Sequence, residues 1–142
     1  MPALTPSRTK YRKSMKSRIR GNRSRDNLRY GLHFMFSNDC VYRDNLFMRN
    51  GAGVAVMYTK RIQMVKNTFK QNWGSASYGL LLKEINDSEI HDNLFEVNSI
   101  GLYAEASNRL QVFRNRFKNN GWAVKVMANS MENDFHENSF VD

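Results

Sequence analysis

The chain has 142 residues, 41% of them hydrophobic, enough for one core and not two. No apolar run reaches the roughly 18 residues of a membrane-spanning helix, and no apolar segment of the secretory-signal kind follows the basic N-terminus. The net charge of +9 resembles a nucleic-acid signature only until its distribution is read: residues 1–29 hold ten Lys and Arg against one acid, Asp26, and residues 30–142 hold twelve of each sign. A neutral body with a basic leader is not the layout of a uniformly basic nucleic-acid-binding domain, so no nucleic-acid partner is expected.

From the N-terminus, residues 1–16 read as a basic leader, flexible over 1–15, and residues 17–142 as an array of repeats. Asparagine sets the period. Asn22, Asn45, Asn67, Asn93, Asn115 and Asn138 follow one another at spacings of 23, 22, 26, 22 and 23 residues. Each of the first five has a second Asn five residues on: Asn27, Asn50, Asn72, Asn98 and Asn120. Two residues after the first Asn stands Phe47, Phe69, Phe95, Phe117 or Phe140, with Ser24 as the exception. That exception marks the leader's end as a degenerate first coil or a disordered start. Glycine recurs as well, at Gly31, Gly53, Gly79 and Gly101, with Ala123 fifth. Fixed spacing over this many copies is the mark of a solenoid.

Within each unit, apolar residues alternate: Leu32 and Phe34, Cys40 and Tyr42, Val54 and Val56, Ile62 and Met64, Leu80 and Leu82, Leu102 and Ala104, Leu110 and Val112, Val124 and Val126. A period of two means strands with one buried face. No two-residue Asn-Gly turn joins them into hairpins. They are therefore expected to coil, each strand lying parallel on its copy one turn on, as a right-handed parallel β-helix of about five coils of 22–26 residues. Asparagines at the bends then form a ladder, phenylalanines stack indoors, and glycine supplies a positive-φ corner or a close approach. Four extra residues near Trp73–Ser77 loop out of one corner. Rungs about 4.8 Å apart make a rod about 25 Å long. No capping repeat is visible at either end, so the chain reads as a piece of a longer β-helix.

Three stretches are more specific than the generic pattern: Arg29-Tyr30-Gly31-Leu32-His33-Phe34-Met35-Phe36-Ser37-Asn38-Asp39, Asn50-Gly51-Ala52-Gly53-Val54-Ala55-Val56-Met57-Tyr58 and Tyr78-Gly79-Leu80-Leu81-Leu82-Lys83. With them, residues 17–142 resemble the NosD family, periplasmic β-helix proteins of nitrous oxide reductase maturation. The resemblance implies a non-catalytic protein that acts with ABC transporter subunits and a copper chaperone lipoprotein to deliver copper to nitrous oxide reductase. It implies export to the periplasm, with membrane association only through partners. The absent signal segment is a departure, which truncation accounts for.

Strand alternation then selects a site. If Leu32 and Phe34 point in, His33 and Met35 point out, and so do Ala55 and Met57, then Leu81 and Lys83, Tyr103 and Glu105, Lys125 and Met127. Two thioethers and an imidazole, from Met35, Met57 and His33, suit Cu(I), a soft ion. The competing reading is methionine as packing filler or as a partner contact. His91 and His136 read as surface residues, and Cys40, at an inward position, as a small core residue. Catalysis has no residues of its own here. Glu105 has no second carboxylate on its strand for acid–base work, and Asp39, Asp44, Asp87 and Asp92 fall at turns. The rival function is a polysaccharide-binding or polysaccharide-modifying β-helix, lyase-like or epimerase-like, with Tyr103 and Trp122 as its exposed aromatics.

Overall fold

The computed structural model describes residues 16–141, so the expected flexible leader over 1–15 lies outside the described residues. Three strands make each coil. The first is β1 (Arg18–Arg20), β2 (Arg23–Arg25) and β3 (Tyr30–Met35). The second is β4 (Val41–Arg43), β5 (Leu46–Met48) and β6 (Ala52–Lys60). The third is β7 (Gln63–Val65), β8 (Thr68–Lys70) and β9 (Tyr78–Asn86). The fourth and fifth are β10 (Glu89–His91), β11 (Leu94–Glu96), β12 (Ile100–Glu105) and β13 (Gln111–Phe113), β14 (Arg116–Lys118), β15 (Trp122–Val126). A sixth begins with β16 (Asp134–His136) and β17 (Ser139–Val141).

Every strand pairs in parallel with its counterpart one coil away, giving two six-stranded sheets and one five-stranded sheet. The fold is all-β, a parallel β-solenoid. The degenerate first coil is therefore part of the array, with Ser24 in register with Phe47. The four-residue insertion sits where the third unit lengthens, between β8 and β9.

The inward rows form one core. Phe47, Phe69, Phe95 and Phe117 are buried and stack face to face, with centroids 5.5, 4.7 and 4.7 Å apart. Phe140 continues the stack at 5.0 Å but is 57% exposed, because no further described rung covers its other face. Beside the rings runs the asparagine ladder. Asn67 Nδ2 donates to Asn93 Oδ1 and to the Tyr42 carbonyl. Asn93 donates in the same way to Asn115 and the Met64 carbonyl, Asn45 to Asn67 and the Ile19 carbonyl, and Asn115 to Asn138 and the Ile90 carbonyl. Each amide thus ties two backbones and the next amide together.

The corners resolve one alternative. Among the column glycines none has positive φ; a Cβ on Gly53 would lie 2.5 Å from the Gly79 carbonyl oxygen, so close approach is what glycine supplies there. Positive φ is carried instead by the residue before each ladder asparagine: Gly21 at φ 66° before Asn22, then Asp44, Lys66, Asp92, Arg114 and Glu137, at φ 50–57°. Hydrogen bonds from Asp44, Lys66 and Asp92 to the next rung, such as Asp44 N–H to the Val65 carbonyl at 3.2 Å, offset the left-handed cost. At the corners Arg61–Asp39, Arg109–Asp87, Arg114–Asp92 and Arg49–Asp26 also pair across rungs, at 2.6, 2.6, 3.0 and 2.8 Å. These exposed pairs contribute little each.

The core holds one misfit. Tyr42 is fully buried against Phe34, and its hydroxyl has no partner among the described residues. Burial pushes the phenol far above its ordinary range. An unsatisfied buried hydroxyl costs about 1–3 kcal/mol. Tyr42→Phe is therefore expected to raise thermal stability by about 1 kcal/mol, measured by calorimetry; a lowered midpoint would show that the hydroxyl has a partner.

Candidate functional site

The outer face of β3, β6, β9, β12 and β15 carries the side chains singled out from the sequence. β3 and β6 are aligned so that His33 is opposite Ala55 and Met35 opposite Met57. One rung further, Ala55 meets Leu81 and Met57 meets Lys83. The two thioethers thus stand on neighbouring rungs about 4.8 Å apart, with His33 two residues before Met35 on the same face. Met35 is 41% exposed, His33 is exposed and Met57 is half-buried. The His33 ring leans on Tyr30, centroids 4.6 Å apart.

Two features of this face escape strand alternation. Ala55 faces outward yet is fully buried, so its larger neighbours close over it and give the cluster an apolar floor. The residues after the two methionines, Phe36 and Tyr58, have positive φ and stack at 5.2 Å. The repeated Met-aromatic pairs Met35-Phe36 and Met57-Tyr58 were the sequence signal for that stack. Next along the same face, Tyr78 leans on Tyr103 and Tyr30 on His33, which opens a groove of about 380 Å³ over Ala52, walled by Leu28, Ala76 and Leu81.

Among the described residues, no three His, Cys, Asp or Glu side chains come together to hold a metal ion. A hard-ion or zinc-type site has no donors there, whereas thioethers with an imidazole fit a soft monovalent ion. Cys40 is buried in the core, with its thiol toward the Asn38 carbonyl. His91 and His136 lie on another face, stacked on either side of Phe113 at 4.6 and 5.1 Å. His91 is also 2.6 Å from Asp92.

The displaced carboxylates all move the same way. Hydrogen bonds from Arg114 and then His91 hold Asp92 at about 2. Asp26 and Asp87 are lowered by Arg49 and Arg109. None of these three is tuned to carry a proton near neutrality, as a general acid must. A hydrogen bond to Glu105 raises Tyr103 to about 12. A depression of about 510 Å³ lies elsewhere, between Lys66, Arg116 and Lys118, and the carboxylates that line it, Asp92 and Glu96, are ion-paired.

Comparison with known proteins gives two matches. Among solved structures, the A-module of mannuronan C-5 epimerase AlgE4 from Azotobacter vinelandii is similar at 14% identity, with 87% of this chain and 53% of that one covered and a TM-score of 0.41. The chain spans about half the length of that module. No curated protein matches. Residues 5–142 match the family described as periplasmic copper-binding protein (NosD). Because that match takes in nearly every residue, the solenoid belongs to the NosD family of periplasmic copper-binding proteins.

Proposed function

We propose that this chain is a non-catalytic accessory protein that carries Cu(I) as cargo on the outer face of β3 and β6, held by His33, Met35 and Met57. In this reading it works in the periplasm with ABC transporter subunits and a copper chaperone, and the receiver is nitrous oxide reductase. The observation that carries the reading is the pairing of Met35 with Met57 on the outer face, two residues from His33, in a member of a copper-binding family. Outer faces ordinarily carry polar groups, and exposed thioethers gain nothing from water. Lys83, one rung from Met57, puts a positive charge beside the cation. That repulsion weakens retention, which suits a cargo that is handed on.

The test is anaerobic competition for Cu(I) against a chromophoric chelator. Met35→Leu with Met57→Leu is expected to leave the melting curve unchanged and to weaken Cu(I) binding by about tenfold or more, since metal-site losses of 10–100-fold follow even from changes in supporting residues. Equal copper retention by the double variant removes the site.

A second reading, polysaccharide binding, is favoured by the tyrosine-flanked groove over Ala52. Its discriminator is retention on acidic and neutral glycans that Tyr78→Ala abolishes while Cu(I) affinity stays unchanged.

A further inference from the structure

The outward rows of the β1 and β2 sheets change character at the first coil. They read Arg18-Val41-Gln63-Glu89-Gln111-Asp134, Arg20-Arg43-Val65-His91-Phe113-His136, Arg23-Leu46-Thr68-Leu94-Arg116-Ser139 and Arg25-Met48-Lys70-Glu96-Lys118-Val141. All four begin with arginine. The fold does not ask for this, since later coils fill the same positions with Val, Gln, Leu, Thr and Met. It carries an electrostatic cost, because Arg18 and Arg20 share one face of β1, and Arg23 and Arg25 one face of β2. Arg29 adds a fifth cation at the next corner. All five are exposed. Among the described residues only Arg25 of the five has a carboxylate nearby, Asp26 at 4.0 Å, and Asp26 is already held at 2.8 Å by Arg49. Among the described residues, Arg18, Arg20, Arg23 and Arg29 have no ion-pair partner.

Besides Met35, two exposed apolar residues belong to the same coil and its closing turn: Leu28, 99% exposed, and Phe36, 68% exposed. The arginines share no single groove: Arg29 borders the groove over Ala52 and Arg23 a separate depression beside Asp44. They stand on two faces and a corner of the rod, and the apolar pair stands at the corners on either side of β3. A linear polyanion lying along one face reaches only two of them. A flat anionic surface facing the first described coil reaches arginines of both faces, and also offers an apolar layer for Leu28 and Phe36. Arginine stems are long enough to turn toward such a surface.

We propose that the β1–β3 coil binds an anionic phospholipid surface, with Arg18, Arg20, Arg23, Arg25 and Arg29 on the headgroups and Leu28 and Phe36 at the acyl boundary. Direct lipid contact goes beyond the expectation of membrane association through partners alone. It sets the β1–β3 coil toward the bilayer. The attraction acts within about 10 Å at 0.1 M salt and fades as salt rises.

The test is cosedimentation of the full chain with phosphatidylcholine vesicles, with and without phosphatidylglycerol, at low and high salt. Binding is expected only with phosphatidylglycerol and should weaken with salt. The quadruple variant Arg18→Ser, Arg20→Ser, Arg23→Ser, Arg25→Ser is expected to bind more than about 100-fold more weakly. Should that variant misfold by circular dichroism, Arg20→Ser with Arg25→Ser is expected to lose about tenfold or more. Leu28→Ser should weaken binding without changing the salt slope of the arginine contacts. No wild-type binding to phosphatidylglycerol vesicles overturns the proposal. So does wild-type-like binding by a folded arginine variant, which assigns the attraction to the basic residues before β1. Binding to heparin or duplex DNA but not to vesicles also overturns it, in favour of a linear polyanion.

Discussion

Phe95→Ala is expected to destabilise the solenoid by about 3–5 kcal/mol and to lower its melting midpoint by more than about 10 °C. Phe95 is fully buried between Phe69 and Phe117, at 4.7 Å from each and within 9° of parallel. Truncation removes the ring's transfer free energy and leaves a cavity that the backbone cannot close, because the rungs on both sides are fixed by their own ladders. Two ring–ring contacts go with it. Phe140→Ala is the control: the same chemistry, with one stacked neighbour and over half its surface already in water, should cost less than about 1.5 kcal/mol. Equal shifts for the two variants, measured by calorimetry, would mean that the phenylalanine row is not the spine of the core.

The second large effect belongs to the ladder. Asn67 makes four side-chain hydrogen bonds. Its Oδ1 accepts from Asn45 N–H at 3.1 Å and from Asn45 Nδ2 at 2.9 Å. Its Nδ2 donates to the Tyr42 carbonyl at 2.9 Å and to Asn93 Oδ1 at 3.1 Å. In Asn67→Ala the neighbouring amides keep other partners: Asn45 Nδ2 still donates to the Ile19 carbonyl, and Asn93 Oδ1 still accepts from Asn67 N–H. The Asn45 N–H and the Tyr42 carbonyl lose the bonds that Asn67 supplied. At about 1–3 kcal/mol for each stranded buried group, the loss is about 3 kcal/mol. Amide hydrogen exchange should show the Asn45 N–H as the protection lost first. Unchanged melting together with unchanged exchange would remove the ladder's structural role.

The repeat was legible because stacking writes itself into the chain: a side chain that meets its own copy one rung on recurs at the rung period. Asn45 to Asn138 and Phe47 to Phe140 could be aligned without a structure for that reason. The insertion before Tyr78 was legible as the one interval that breaks the period. Corners were less legible. Glycine was read as a left-handed corner or a close approach; the close approach is what Gly53 supplies, and left-handed positions fall on Asp44, Lys66, Asp92 and Arg114. Inter-rung hydrogen bonds offset a conformation that local propensity disfavours, and a single sequence gives no sign of them. The candidate site divides in the same way. His33, Met35 and Met57 could be read because alternation holds within β3 and β6. Alternation did not find Phe36 and Tyr58, which only the repeated Met-aromatic pair marks, because it stops at a left-handed residue and their direction depends on the corner. Ala55 looked like an open outward position. Its burial depends on the size of His33, Met57 and Leu81 around it, which is a matter of packing and not of period.

The account rests on soft outward donors that meet across the β3–β6 pair. Copper-edge X-ray absorption of the anaerobic Cu(I)-loaded chain reads them directly. A mixed sulfur and nitrogen first shell is expected, and Met35→Leu with Met57→Leu should strip the sulfur scattering while the fold stays intact. A shell of oxygen and nitrogen alone would contradict the account. A sulfur shell that survives the double substitution would do the same, by pointing to Cys40 or another methionine.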